Sequence, residues 1–381
     1  MGFTYRKAVE ADRAQYLDFA NMVFSCAHVP HDFQAMIPKV YGADKQTAHM
    51  QNIAVDENDR IRGLVAVMPG EMNVLGEVLK TGFVGTVSVH PYARGEGHMK
   101  KLMSMAIDGM RRDGVDIAML GGQRQRYEYF GFTKNGIALY HTVGRANVRH
   151  ALRDVSTSGL EIKPVSADDA DVLRMAWELH CAKRLFAYRS PEDFHVISRT
   201  WYTEMHKIIL NGEFAGYMLS NPGERGRDIS ELVLKDYALT GAVIKKLVED
   251  DGRGLSLTTA DFEVELNRWL AMFEEDVHVA APMQIRVFNF AKVIDAFMKL
   301  RASYRPIADG KRGFVIDGQQ VTVSVQNGKV EVTDDHFENS LVLTAMQAQN
   351  LFFNINGWLM EGQLPMGWAP LPAYINCVDE F

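Results

Sequence analysis

Val87, Ser88, Val89, His90, Pro91, Tyr92, Ala93, Arg94, Gly95, Glu96, Gly97, His98, Met99, Lys100 and Lys101 follow one another in a way that suits phosphate binding. A β-branched strand stops at a proline, passes two glycines and enters a helix, where Met99, Leu102, Met103, Ala106, Ile107 and Met110 recur at helical spacing. Such a turn aims consecutive backbone N–H groups, and the positive end of the helix dipole, at one point. Arg94 and Lys100 at its rim would add charge-assisted bonds to a pyrophosphate. A nucleotide P-loop would need Lys-Ser/Thr where Lys101 and Leu102 stand, and a dinucleotide fingerprint would need glycine where Lys100 stands. The pyrophosphate of another nucleotide cofactor, or a purely structural glycine turn, remains.

Beyond the next apolar stretch, Ile117–Leu120, lie Gly121, Gly122 and Gln123, then the aromatic run Tyr127, Glu128, Tyr129, Phe130, Gly131, Phe132. A tyrosine near its ordinary pKa of about 10 stays protonated at neutral pH and can serve as an acid. The plainer reading of Tyr127 is a core aromatic, and Tyr129 is the alternative acid. Cys26, His28 and His31 stand close together but lack an evident fourth ligand, so no metal site is expected. No Ser-His-Asp or paired-carboxylate arrangement can be argued from spacing.

The elements that must hold these residues belong to a long chain of 381 residues, enough for two or three domains. It is 47% hydrophobic and 23% charged, which leaves little room for long disorder. A net charge of −7 disfavours nucleic acid as a partner and suits a cationic substrate. No apolar run reaches the ~18 residues of a membrane helix, the first residues lack a signal core, and Arg6 breaks the myristoylation pattern. With three widely separated cysteines, Cys26, Cys181 and Cys377, these features predict a cytoplasmic protein with reduced thiols and no membrane partner.

Three segments are expected: 1–150, 151–284 and 285–381. The second repeats the order of the first: helices at about 167–183 and after Glu192, a hairpin around Asn211 and Gly212, a strand at 229–234 and a helix at 237–250. Its strand–helix junction, Lys235 to Leu239, has no glycine, so it lacks a phosphate nest. The third segment should contain a helix at about 290–301, a meander turning at Asp317-Gly318 and Asn327-Gly328, and a helix at 344–353. The tail from Leu364 to Phe381 carries three prolines and many apolar residues, and is expected to dock, with Trp368 and Tyr374 filling the third segment.

Arg94-Gly95-Glu96-Gly97-His98-Met99 after a Val-Ser-Val strand, with the Tyr127–Phe132 run about 30 residues on, resembles the acyl-CoA loop and acid-tyrosine segment of the GNAT N-acetyltransferases. With the Gln284–Phe297 segment and the terminal Phe381, the whole chain resembles the Eis-type (enhanced intracellular survival) branch. Met99 departs from the general loop pattern but suits that branch. The resemblance implies an α/β (α+β) fold: two tandem GNAT-like mixed-sheet domains, the second degenerate, and a sterol-carrier-protein-like α/β domain. It implies acetyl-CoA as co-substrate, held by Val87, Ser88, Val89, Arg94, Gly95, Glu96, Gly97, His98, Met99 and Lys100, with Gly122 and Gln123 at the thioester end. Tyr127 would be the acid, and the carboxylate of Phe381 would reach the active site to position the amine and take a proton through water. It further implies a homo-oligomer, typically a hexamer, and a small-molecule or peptide amine acceptor: aminoglycoside, polyamine-like or lysine-containing. A non-enzymatic acyl-CoA sensor and a lipid carrier acting through the third segment are the competing readings.

Overall fold

The computed structural model describes residues 2–27, 29–356 and 363–381. The strands run in chain order β1 (Phe3–Lys7), β2 (Gln51–Asp56), β3 (Ile61–Val74), β4 (Glu77–Val89), β5 (Ile117–Leu120), β6 (Thr133–Asn135) and β7 (Ala138–Val143). They continue with β8 (Leu160–Pro164), β9 (Leu185–Ala187), β10 (Glu204–Leu210), β11 (Glu213–Gly223), β12 (Gly226–Leu234), β13 (Gly254–Ala260) and β14 (Asp276–Ala280). The last are β15 (Met283–Val287), β16 (Gly310–Ile316), β17 (Gln319–Gln326), β18 (Lys329–Thr333) and β19 (Leu341–Leu343).

They form three sheets in an α/β fold. The first has the order β1-β2-β3-β4-β5-β15-β6 with β9 paired to β3; the second is β14-β7-β13-β12-β11-β10-β8; the third is β18-β17-β16-β19. Sheet membership does not follow the divisions at 150 and 284. β7 hydrogen-bonds in the second sheet, although it precedes residue 150. β15 returns to the first sheet and slots between β5 and β6. Both strands join across gaps of more than a hundred residues, which no local pattern encodes.

The helix after the glycine turn, His98–Arg112, buries His98, Leu102, Met103, Ala106, Ile107 and Met110 against the first sheet. Met99, expected on that stripe, is only partly buried. Truncating fully buried Leu102 to alanine should cost about 2–5 kcal/mol. The sheet's opposite face shares one core with the last segment, including Phe290, Phe297, Phe314, Phe352, Phe353 and Trp368.

In the second sheet the helix expected after Glu192 shrinks to Phe194–Ile197 and a turn at Thr200–Tyr202, where Trp201 has φ 61°. The hairpin turns at Asn211 and Gly212, with φ 52° and 87°. In the tail Trp368 is fully buried and its Nε1 donates to Ala308 O at 2.8 Å, inside the third segment. Tyr374 instead packs beside Phe262, ring centroids 6.4 Å apart, next to the second sheet. The expectation that it fills the third segment is therefore corrected.

Candidate active site

A register shift in β4 creates the site. Ser88 pairs with Leu64 and Gly85 with Ala66, so Thr86 and Val87 stand opposite the single residue Val65. Thr86 takes φ 47°, and Asn52 Nδ2 donates to the Val65 carbonyl at 2.9 Å. β4 and β5 are parallel partners only over Thr81–Val84 and Ile117–Leu120. Past Val84, β4 runs on to Val89 while β5 ends at Leu120, before Gly121 and Gly122, and among the described residues no strand fills that side. The backbone of Val87, Ser88 and Val89 thus borders a wedge with strand hydrogen-bonding capacity to spare.

The wedge opens onto the glycine turn. Gly95 and Gly97 have φ 87° and 83°, a region costly to other residues, and the space above both α-carbons is open. The following helix has no side-chain cap on its first turn, so its N–H groups face outward. Glu96 and His98 do not extend this surface with their side chains. His98 is buried, with Nε2 3.1 Å from Glu96 Oε2 and Nδ1 2.9 Å from Tyr5 Oη. These contacts brace the turn from beneath, leaving the backbone of both residues to any ligand. Lys100 lies over the Tyr129 ring, 5.0 Å from its centre.

A cleft of about 800 Å³ gathers Val87, Ser88, Val89, Arg94, Gly95, Gly97, His98, Met99, Lys100, Gln123 and Tyr127. Glu96 and Gly122 are not on its wall. Tyr129, the alternative acid, is on this wall too, as are Arg126, Phe130 and, from the helix Arg13–Ala27, Val23, Phe24 and Ala27, to which sequence reading gave no role. Gln123, Arg126, Tyr127 and Phe130 follow one helical face, a spacing that could have placed Arg126 there.

Tyr127 is 9% exposed, at the end of the turn Arg124–Tyr127. Burial raises its pKa, against a weaker opposing effect of the Arg126 charge. Among the described residues, no hydrogen bond takes its hydroxyl. Its ring lies close over Gly122: a Cβ there would stand 3.0 Å from the ring and 3.8 Å from the hydroxyl. The segment around it is held by residues that follow the second sheet in the chain. Gln284 Nε2 donates to Gly122 O at 2.9 Å, Gln349 Nε2 to Gly131 O at 3.1 Å, and Arg286 to Phe130 O.

Phe381 lies away from the cleft wall, on the first splayed residue of β4. Its ring and a carboxylate oxygen cover Gly85, and its ring is 5.8 Å from that of Tyr41, whose hydroxyl bonds Thr86 Oγ1 at 2.7 Å. A separate cavity of about 220 Å³ is lined by Glu71, Asp193 and Asp379, with Lys39, Phe83 and Met119; Asp193 pairs with Lys45 and Asp379 with Arg189. Of the Cys26, His28 and His31 group, His28 is outside the described residues. The His31 ring sits between Phe24 and Phe33, with Nδ1 2.6 Å from Val29 O. Among the described residues no group of three metal-ligating side chains converges, and no helix is long and apolar enough to cross a membrane.

Residues 4–134 match the family model described as an acetyltransferase (GNAT) domain. The splayed strands, glycine turn and aromatic run all fall within that span. The fold of the whole chain is shared with solved structures at low identity. A GCN5-related N-acetyltransferase from Kribbella flavida is 15% identical, with a TM-score of 0.67 over 100% of this chain and 98% of that one. One from Anabaena variabilis ATCC 29413 is 14% identical, with a TM-score of 0.67 over all of both chains. Eis1 from Mycobacterium abscessus is 14% identical, with a TM-score of 0.62 over 97% of this chain and 94% of that one. No curated protein matches the sequence.

Proposed function

We propose that the chain is an N-acetyltransferase that moves an acetyl group from acetyl-CoA to a primary amine by direct attack in a ternary complex. One observation carries this reading: the β4–β5 wedge, the open glycine turn and a tyrosine that lines the wall share one cleft. The backbone of Val87, Ser88 and Val89 would pair with the amide-bearing pantetheine arm. The turn from Gly95 to Lys100, with Arg94, would hold the pyrophosphate, and Gly122 and Gln123 would border the thioester.

Acetyl-CoA supplies an activated acyl group: an N–C bond forms, the C–S bond breaks and the thiol leaves. Tyr127 donates a hydrogen bond to the departing sulfur. A hydroxyl raised above 10 is a weaker acid than a thiol near 8.5, so its main contribution is that bond, with the sulfur's proton completed from solvent. The Phe381 carboxylate orients the amine and takes its proton through water. Proximity supplies most of the rate.

In this reading 1–150 is the catalytic domain, 151–284 a degenerate copy and 285–381 the tail-bearing domain. Aminoglycosides, polyamine-like amines and lysine side chains are the acceptor classes. An acyl-CoA sensor would leave the Tyr127 hydroxyl dispensable, whereas the enzyme would not. Trp368, packed inside the third segment, takes up room that a carried lipid would need. The reading is tested by incubating protein, acetyl-CoA and an amine and weighing the amine. A gain of one acetyl group supports it, and an unaltered amine with every acceptor class contradicts it.

A further inference from the structure

The second sheet repeats the wedge of the first. β12 and β13 are parallel partners over four residues, Gly226–Ile229 and Gly254–Leu257, as β4 and β5 are over Thr81–Val84 and Ile117–Leu120. β12 also shifts register at the splay: Ile229 pairs with Ser220 and Glu231 with Leu219, leaving Ser230 as the extra residue. Ser230 is therefore the counterpart of Gly85, each the first residue past the parallel pairing.

This second wedge is occupied by the chain's own tail. Asn376 Nδ2 donates to Ser230 O at 2.6 Å, and Tyr374, Ile375, Asn376 and Asp379 close a water-sized space against Ser230 and Glu231. Asp379 then meets Arg189 in a bidentate pair, Nε to Oδ1 at 2.7 Å and Nη2 to Oδ2 at 2.8 Å. The remaining terminal nitrogen, Nη1, reaches Glu231 Oε2 at 2.9 Å, and Arg189 has no exposure to solvent. Lys39 Nζ holds Val378 O at 2.5 Å from the other side. Two residues further on, Phe381 reaches Gly85, so a fixed Asp379 confines the terminus to about 7 Å of travel.

We infer that the second sheet's wedge serves as a seat for the C-terminal tail, and that Arg189 and Asp379 are positioning residues setting where the Phe381 carboxylate acts. This rests on the acetyltransferase reading and on a role for that carboxylate. The second unit, whose strand–helix junction from Lys235 to Leu239 lacks glycine, then grips the chain where its counterpart would grip a cofactor.

The experiment measures kcat and the acetyl-CoA KM for Asp379→Asn, for the chain without Phe381, and for the two combined. Asp379→Asn should lower kcat roughly 10²-fold, the scale of a 1 Å misplacement, and leave the acetyl-CoA KM nearly unchanged. The combined variant should be no slower than the chain without Phe381, because the pair acts only through the terminus. Should Asp379→Asn not fold, Arg189→Lys replaces it, keeping the charge while losing the planar fork. A full-rate Asp379→Asn enzyme, or losses that multiply in the combined variant, overturns the seat while the acetyltransferase reading stands. Undiminished turnover without Phe381 removes the role of the carboxylate itself, and the positioning claim falls with it.

Discussion

Gly85 and Phe381 pack so closely that a methyl group on the glycine would lie 2.7 Å from a Phe381 carboxylate oxygen and 2.8 Å from its ring. The obstructing atoms are backbone and ring base, which cannot swing aside as a flexible side-chain end could. Gly85→Ala should therefore lift the terminus from β4. If the terminal carboxylate positions the amine, kcat falls roughly 10²-fold with acetyl-CoA affinity kept. Steady-state kinetics with calorimetric titration of acetyl-CoA checks this; equal losses in rate and affinity would place the damage in the cofactor wedge instead.

Tyr127→Phe keeps the ring against Gly122 and removes only the hydroxyl. The expected loss in kcat is about 10²–10⁴-fold, with acetyl-CoA binding unchanged. Because burial raises the phenol above its ordinary value, any alkaline fall in wild-type kcat due to Tyr127 lies above pH 10. A pH–rate profile of both proteins checks this: a limb below pH 10 belongs to another group and persists in the variant.

Gly97 has φ 83° with nothing near its α-carbon, so Gly97→Ala tests backbone conformation without steric clash. Holding alanine there costs about 1–2 kcal/mol. If the turn relaxes to avoid that cost, acetyl-CoA binding weakens by about tenfold. If the turn instead keeps its shape, the cost appears as a lower unfolding temperature. Calorimetry of binding and of unfolding separates the two.

The glycine turn and its helix were legible in the sequence because their information is local: φ-permissive residues followed by apolar positions at helical spacing. The same locality exposed the Asn211-Gly212 and Asp317-Gly318 hairpins. What stayed hidden depends on distant partners. His98 reads as a loop residue facing a ligand, yet Tyr5, 93 positions away, draws its ring under the turn. β15 looks like the start of the last segment and in fact completes the first sheet beside β5. Arg189 and Asp379 lie 190 residues apart, and neither has a sequence context that announces a partner.

His180 makes the tail's surroundings sensitive to acid. Burial, aided by the Arg189 and Lys183 charges, pushes its pKa down to about 4, and Nε2 bonds Ala187 O at 2.9 Å. The unfolded ring titrates near 6.5, so between pH 6.5 and 4 only the unfolded state gains this proton. The stabilisation is intact above pH 6.5 and about 3 kcal/mol of it is lost by pH 4. His180→Gln cannot titrate. The difference in unfolding free energy between the two proteins should be flat above pH 7 and shift against the wild type below 6.5; parallel curves would contradict this.

The most direct test of the proposed acetyl transfer is thiol release from acetyl-CoA across a panel of amines, for the wild type, Tyr127→Phe and the chain lacking Phe381. Amine-dependent release by the wild type is expected, sharply reduced in both variants while both still bind acetyl-CoA. Tight acetyl-CoA binding with no amine-dependent release by the wild type would contradict it, and would leave the cleft as a site that holds the cofactor without using it.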